Sequence, residues 1–288
     1  MGYSARYHAT SLIAVFLALA IGILIGAEFG GDTLTSTRKD LEQSLTGNLQ
    51  DARERAAELS GELGRADEFA DAVYPVLVRD QLRGRRIGLL ALGGLPGEVS
   101  GAIEEALGPT GARLVGVGVV REPDDLRALA GDLAKTRFAA VARDPDTQSA
   151  FAVAAGRQMA RGGTLLERVR GHLFSRASGN FGALDGMIVV RQQPQDMGPL
   201  QRAAAGRIEA GLLNGIVATR TPAVGVEASA AEGSSVSFFI ANDLSSVDDV
   251  DLVAGRLATV FALLGAEGSF GVKGSADRLL PDLLAPHE

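Results

Sequence analysis

An unbroken run of 19 uncharged residues, Ala9 to Ala27 (ATSLIAVFLALAIGILIGA), limits what this chain can be before any motif is read. As a helix rising about 1.5 Å per residue it would span roughly 28 Å, close to the ~30 Å hydrocarbon thickness of a bilayer. It is longer than the apolar stretch of a secretory signal, usually about 7–15 residues. Cleavage after Ala27 would also place bulky Ile25 where signal cleavage wants a small residue. Residues 1–30 therefore read as a short tail and a retained, single membrane-spanning anchor. Arg6 precedes the run and Arg38 and Lys39 lie well beyond it, so the flanking positive charge is nearly balanced. A short tail before a large C-terminal portion favours a cytoplasmic N-terminus and an extracytoplasmic bulk. Ala14, Ala18, Gly22 and Gly26 recur at four-residue spacing along this helix. Such a small-residue face lets two membrane helices approach closely, which predicts self-association.

Residues 31–78 are polar and periodic. Taking Leu49, Ala56, Leu63, Ala70 and Leu77 as heptad position a puts Leu45, Ala52, Leu59, Ala66 and Val73 at d. Arg53, Arg55, Glu62 and Asp67 flank this seam. A sustained 3.5-residue repeat with charged flanks predicts a coiled-coil stalk and a homo-oligomer. The alternative is one long helix folded back onto the rest of the chain. Ala at half of the core positions weakens the coil, and Gly47, Gly61 and Gly64 each cost roughly 1 kcal/mol relative to Ala. Pro75 closes the periodic run, and the Arg-rich segment 79–85 reads as a solvated hinge.

From 86 to 288, apolar runs alternate with helix-length amphipathic stretches. The expected strands are Ile87–Leu92, Arg113–Val120, Gly186–Val190, Ala223–Glu227 and Ser235–Ala241, with Phe138–Ala142 as a short extra candidate. Helical patterns cover 97–108, 123–135, 146–162, 196–214 and 247–264. Continuous apolar strands point to a mostly parallel sheet covered on both faces, a three-layer α/β domain. Together with the anchor, these strands account for the positive mean hydropathy of +0.15. Ligands of such sheets bind beyond the strands' carboxyl ends. There Gly93 and Gly94 form a tight turn in preference to a phosphate cradle, because nucleotide-loop spacing is lacking. Near the last junction Asp243, Asp248, Asp249 and Asp251 read as the acidic start of a helix capped by Ser246. Gly93, Gly94, Asn242, Asp248, Asp249 and Asp251 are the candidate ligand or partner residues.

Composition removes several function classes. With 28 Lys+Arg against 35 Asp+Glu the formal charge is −7, and no basic footprint for nucleic acid is present. Cysteine is absent, which excludes disulfides, thiolate metal sites and Cys nucleophiles. The histidines are His8, His172 and His287, so within the domain histidine chemistry would rest on His172 alone. Nucleophile-elbow, zincin and Ser-Lys motifs are missing. The reading is a non-enzyme with no cofactor evident.

Two segments carry a family resemblance. The opening YHATSLIAVFLALAIGILIGAEFG with its heptad stalk, and the closing SSVDDVDLVAGRLATVFALLGAEGSFGVKGSADRLLP, resemble the two ends of the actinobacterial copper-transport family MctB. The Arg-rich, Lys-poor composition agrees with a GC-rich actinobacterial source. The Val247-Asp248-Asp249 turn carries Asp where the family pattern has Asn. The resemblance implies a role in copper transport or homeostasis at the cell envelope, with copper as the implied ion. Direct copper chemistry lacks obvious ligands, since Cu(I) prefers Cys and Met sulfur and Cu(II) imidazole, while Met159, Met187 and Met197 are scattered. The alternative from architecture is a non-catalytic coiled-coil scaffold that binds an envelope partner in cell-wall or division machinery.

Overall fold

A computed structural model describes residues 5–282, with the side chains of 5–9, 28–40 and 42 outside the description. Arg6, His8, Arg38, Lys39 and His287 therefore lie outside the described side chains. The chain divides into two units, Met1–Glu68 and Phe69–Glu288. The first unit is helical throughout its described length, as part of α1 (Ala5–Leu77). Within it, residues Thr10–Ala27 are long and apolar enough to cross a membrane, and none of that stretch is buried. Ala14, Ala18, Gly22 and Gly26 are exposed, and a Cβ added at Gly22 or Gly26 would meet nothing within 4 Å. Further along, Leu45, Leu49, Leu59 and Leu63 are exposed, as are Ala52, Ala56 and Ala66.

The second unit begins with the end of α1. Ala70 and Val73 are half-buried, and Tyr74 and Val78 are buried. Pro75 offers no amide hydrogen to the helix ladder, and α1 ends at Leu77. Segment 79–85, expected to be a solvated hinge, is instead fastened to the domain. The amides of Asp80, Leu82 and Gly84 donate to the carbonyls of Pro109, Thr110 and Gly111, and Leu82 is fully buried. The one apolar side chain among its Arg residues explains the difference, because burying Leu82 gives the segment an inward side.

A seven-stranded sheet follows, with β1 (Arg86–Gly93), β2 (Arg113–Val120), β3 (Phe174–Gly179), β4 (Gly186–Gln192), β5 (Ala223–Val226), β6 (Ser245–Val247) and β7 (Ser269–Phe270). Their order is β3-β2-β1-β4-β5-β6-β7. Every pairing is parallel except β2 with β3. Both faces of the central strands are covered, as continuous apolar runs require. Ile87, Leu89, Ala91, Ile188 and Val190 join one core. Leu90, Leu92, Met187 and Val189 join the other. Successive side chains of a strand point to opposite faces, so alternate residues fall into different cores.

The first core is closed by α2 (Gly97–Leu107) and α8 (Val253–Leu263), together with Tyr74 and Val78. Tyr74 donates its hydroxyl to the Ala106 carbonyl at 2.7 Å. Arg256 of α8 bonds Glu105 at 2.8 Å and Asp71 at 3.1 Å. The second core lies under α3 (Leu126–Asp132), α4 (Pro145–Arg161), α5 (Thr164–Leu173) and α6 (Pro199–Val217). Here α4 and α6 pack with backbones nearly touching: a Cβ at Gly156 would strike the Leu212 carbonyl, and one at Gly215 the Val153 carbonyl.

The α/β class, the N-terminal apolar helix, the long helix after it and the mostly parallel sheet agree with expectation. Several elements do not. Ser235–Ala241 is not a strand; it forms α7 (Val236–Ala241). Val236 and Phe239, three apart, are buried while Ser237 and Ile240 face out, a helical pattern. Phe138–Ala142 is a run of turns with Phe138 and Val141 turned inward. The 247–264 stretch starts as a strand end, and Ser246 lies within β6, where its hydroxyl donates to the Ser269 hydroxyl at 2.9 Å. Ser246 therefore does not cap α8, whose N-cap is Leu252.

Candidate functional site

The strand order reverses direction around β1: β2 and β3 lie on one side, β4 to β7 on the other. In open parallel sheets this switch point leaves a crevice beyond the carboxyl ends of the strands. The chain places polar residues there, one strand end after another. β1 ends in Gly93-Gly94, β2 leads to Glu122, β4 to Arg191 through Gln193, β5 to Glu227 and β6 to Asp248. A cleft of about 850 Å³ opens at this edge, lined by Gly93, Gly94, Arg191, Gln193, Glu227 and Ser235 among others.

Gly93 is needed for the close approach at its floor. Its φ is +82°, and a Cβ there would sit 2.7 Å from Glu122 Oε2 and closer still to the Gln192 carbonyl. Behind this floor lies a buried acid cluster. Glu209, on α6, has no exposed surface. It accepts from Arg191 Nε at 3.1 and 3.2 Å, from Arg191 Nη2 at 3.1 Å and from Gln193 at 2.9 Å. This fork-to-carboxylate geometry compensates both charges.

Glu122 has no such donor among the described residues. Burial, first, and then the charges of Glu209 and Asp124 push Glu122 up to about 9, against the pull of Arg191. Asp124 is pushed up to about 7 by burial and by Glu209. Burial thus favours the protonated form of Glu122 and Asp124 beside the ion pair of Arg191 and Glu209.

The expected site residues separate into groups. Gly93 and Gly94 do line the cleft. Asp248 serves the next loop, accepting from the amides of Val272 at 2.9 Å and Lys273 at 3.3 Å. Lys273 then reaches Glu227 of the cleft wall at 2.7 Å and the Ala228 carbonyl at 2.9 Å. Asp251 holds the Ser229 amide and hydroxyl, both at 2.6 Å. Asp249 is fully buried and has no side-chain hydrogen-bond partner among the described residues. Burial, then Asp248 and Asp251, raises it to about 7. Asn242 stands apart, donating to the Phe238 carbonyl at the end of α7.

These aspartates organise loops at the end of β6 and before α8, which differs from the expected acidic first turn of a capped helix. Glu122, Asp124, Arg191, Gln193, Glu209, Glu227 and Lys273 were not anticipated. Gln193 and Glu227 directly follow strands, and Glu122, Asp124 and Lys273 lie two to four residues past one, a signal visible only once the strands are aligned.

Among the described residues no group of three His, Cys, Asp or Glu side chains has the geometry to hold a metal ion. Met159 and Met187 are buried in the second core, and His172 pairs with Asp132 at 2.7 Å.

Residues 3–281 match the family described as "Copper transport outer membrane protein, MctB". The chain is similar to "Copper transporter MctB" of Mycobacterium tuberculosis (strain ATCC 25618 / H37Rv), 37% identical over 84 residues, or 29% of this chain and 27% of the relative. The Mycobacterium bovis protein of that name matches to the same extent. That of Mycobacterium leprae is 52% identical over 42 residues, 15% of this chain and 13% of the relative. The aligned stretches thus span less than a third of the curated relatives. Because the family model spans nearly the whole chain, from the apolar helix through the α/β domain, this chain belongs to the MctB family.

Proposed function

We propose that this chain is a single-pass cell-envelope protein that takes part in copper transport or homeostasis as a self-associated assembly. The observation that carries the reading is the family match over residues 3–281. The architecture supports the rest. Thr10–Ala27 serves as the anchor, with the N-terminus cytoplasmic and the α/β domain extracytoplasmic. Copper is cargo in this reading rather than a resident cofactor. The chain's own side chains fit copper poorly: cysteine is absent, and Met159, Met187 and Met197 are buried. Cu(I) wants accessible sulfur and Cu(II) imidazole, so the contribution to copper movement lies in the assembly and not in a binding site of the isolated α/β domain.

The apolar face of α1 is the means of assembly. Leu45, Leu49, Leu59 and Leu63 keep 52–66% of their surface in one copy. Burying them against a second copy would recover about 1.5–3 kcal/mol for each side chain. The small-residue face of Ala14, Ala18, Gly22 and Gly26 would align the same pair within the bilayer.

Deleting the gene and measuring cellular copper, with growth under copper load, tests the function. Copper content should rise or fall relative to the parent and return on complementation. Unchanged copper content and growth would overturn the reading.

A further inference from the structure

The cleft beyond β1, β4 and β5 has a charge pattern that selects its occupant. Arg191 is its cation, and it is fully engaged: its guanidinium is forked onto Glu209 and lies 4.2 Å from the centre of the Phe238 ring. Glu227 is likewise committed, to Lys273 and to the Ser235 amide. Glu98 and Glu232 also line the cleft, are exposed, and have no ion pair or hydrogen bond among the described residues. Gln192 and Gln195 line the same cleft, and their side-chain carbonyl oxygens add neutral acceptors.

We propose that this cleft binds an organic cation, an ammonium or guanidinium group presented by a basic peptide segment or by a polyamine. Its volume of about 850 Å³ lies in the range of ligand sites, roughly 300–1,000 Å³. Unpaired carboxylates at the rim draw a cation in and are weakened by salt. An anion is disfavoured although the cleft borders the start of α2. Glu98 sits in that helix's first turn and already occupies the positive end of its dipole. A phosphate would meet no unpaired cation in the lining. A metal ion is disfavoured because no converging set of three ligands is present among the described residues.

The test is calorimetric titration of the full chain in neutral detergent with spermidine, with a blocked tri-arginine peptide, with inorganic phosphate and with Cu(II). Binding of spermidine or the peptide is expected, and the tighter of the two identifies the source of the cation. Each of Glu98→Gln and Glu232→Gln should weaken it about two- to five-fold, the range of exposed charge pairs. Added salt should weaken it further. Both glutamates are exposed, and unchanged thermal unfolding of the variants verifies that the fold is intact. The proposal is overturned by any of three results: neither cation binds, the double variant binds them as well as the parent, or phosphate or Cu(II) displaces them from the cleft.

Discussion

At Glu122 a single proton decides whether two carboxyl groups can share the space behind the cleft. Its ordinary pKa is 4.5, and in the folded chain it is raised to about 9. Between those values the folded state holds a proton that the unfolded state has released. Stability is therefore fully present below the unfolded pKa and is lost as pH rises through the folded one. Asp124 and Asp249, both raised to about 7, add to the loss up to neutrality. Each unshared proton removes up to about 1.4 kcal/mol per pH unit within its window. Denaturant unfolding at pH values from about 5 to 9 should show falling stability in the parent. The Glu122→Gln variant, which has no proton to release in this range, should show a flatter profile above pH 7; an unchanged slope would remove Glu122 as its source. Close by, Gly93→Ala would drive a methyl group toward Glu122 and the Gln192 carbonyl at a left-handed φ. It should cost about 1–3 kcal/mol, read as a lower melting temperature. The effect of the Glu209 charge on Glu122 is invisible in the chain order, because the fold brings together a strand end and a helix that no local spacing relates.

Elements differ in how plainly their sequences declare them. β2 begins and ends where its apolar run does, and β1 extends the expected Ile87–Leu92 by one residue at each end. Both are buried on two faces, so a continuous apolar run is their signature. β6 and β7 are three and two residues long and contain Ser, too short and polar to stand out. β3 is an edge strand, with Ser175, Arg176, Ser178 and Gly179 exposed, and reads as a loop. Ser235–Ala241, expected as a strand, contains α7 because a short, mostly apolar run fits strand and helix equally well until its neighbours are known. Glycines settle what apolar pattern cannot, and α4 and α6 show it. Gly215→Val would force the α6 backbone away from the Val153 carbonyl. The expected loss is at least about 1–3 kcal/mol, the usual cost of overpacking, measured by chemical denaturation. Wild-type stability in that variant would mean that the two helices are not in backbone contact.

Across the whole molecule, the heptad pattern in the sequence coincides with leucines left exposed along α1. Replacing Leu45, Leu49, Leu59 and Leu63 with Ser should leave the melting of the α/β domain unchanged, since none of the four belongs to either core. The same variant should lower the mass observed by sedimentation in neutral detergent from that of an oligomer to that of one chain. An unchanged mass would move self-association elsewhere, with the Gly22 and Gly26 face as the next place to look. The most direct test of the account joins this assembly to copper. A strain lacking the gene is complemented with the parent chain or with the four-serine variant at equal abundance, and cellular copper is measured under copper load. The account predicts that the parent chain restores the copper level and the variant does not; equal restoration by both, or no change on deletion, would contradict it.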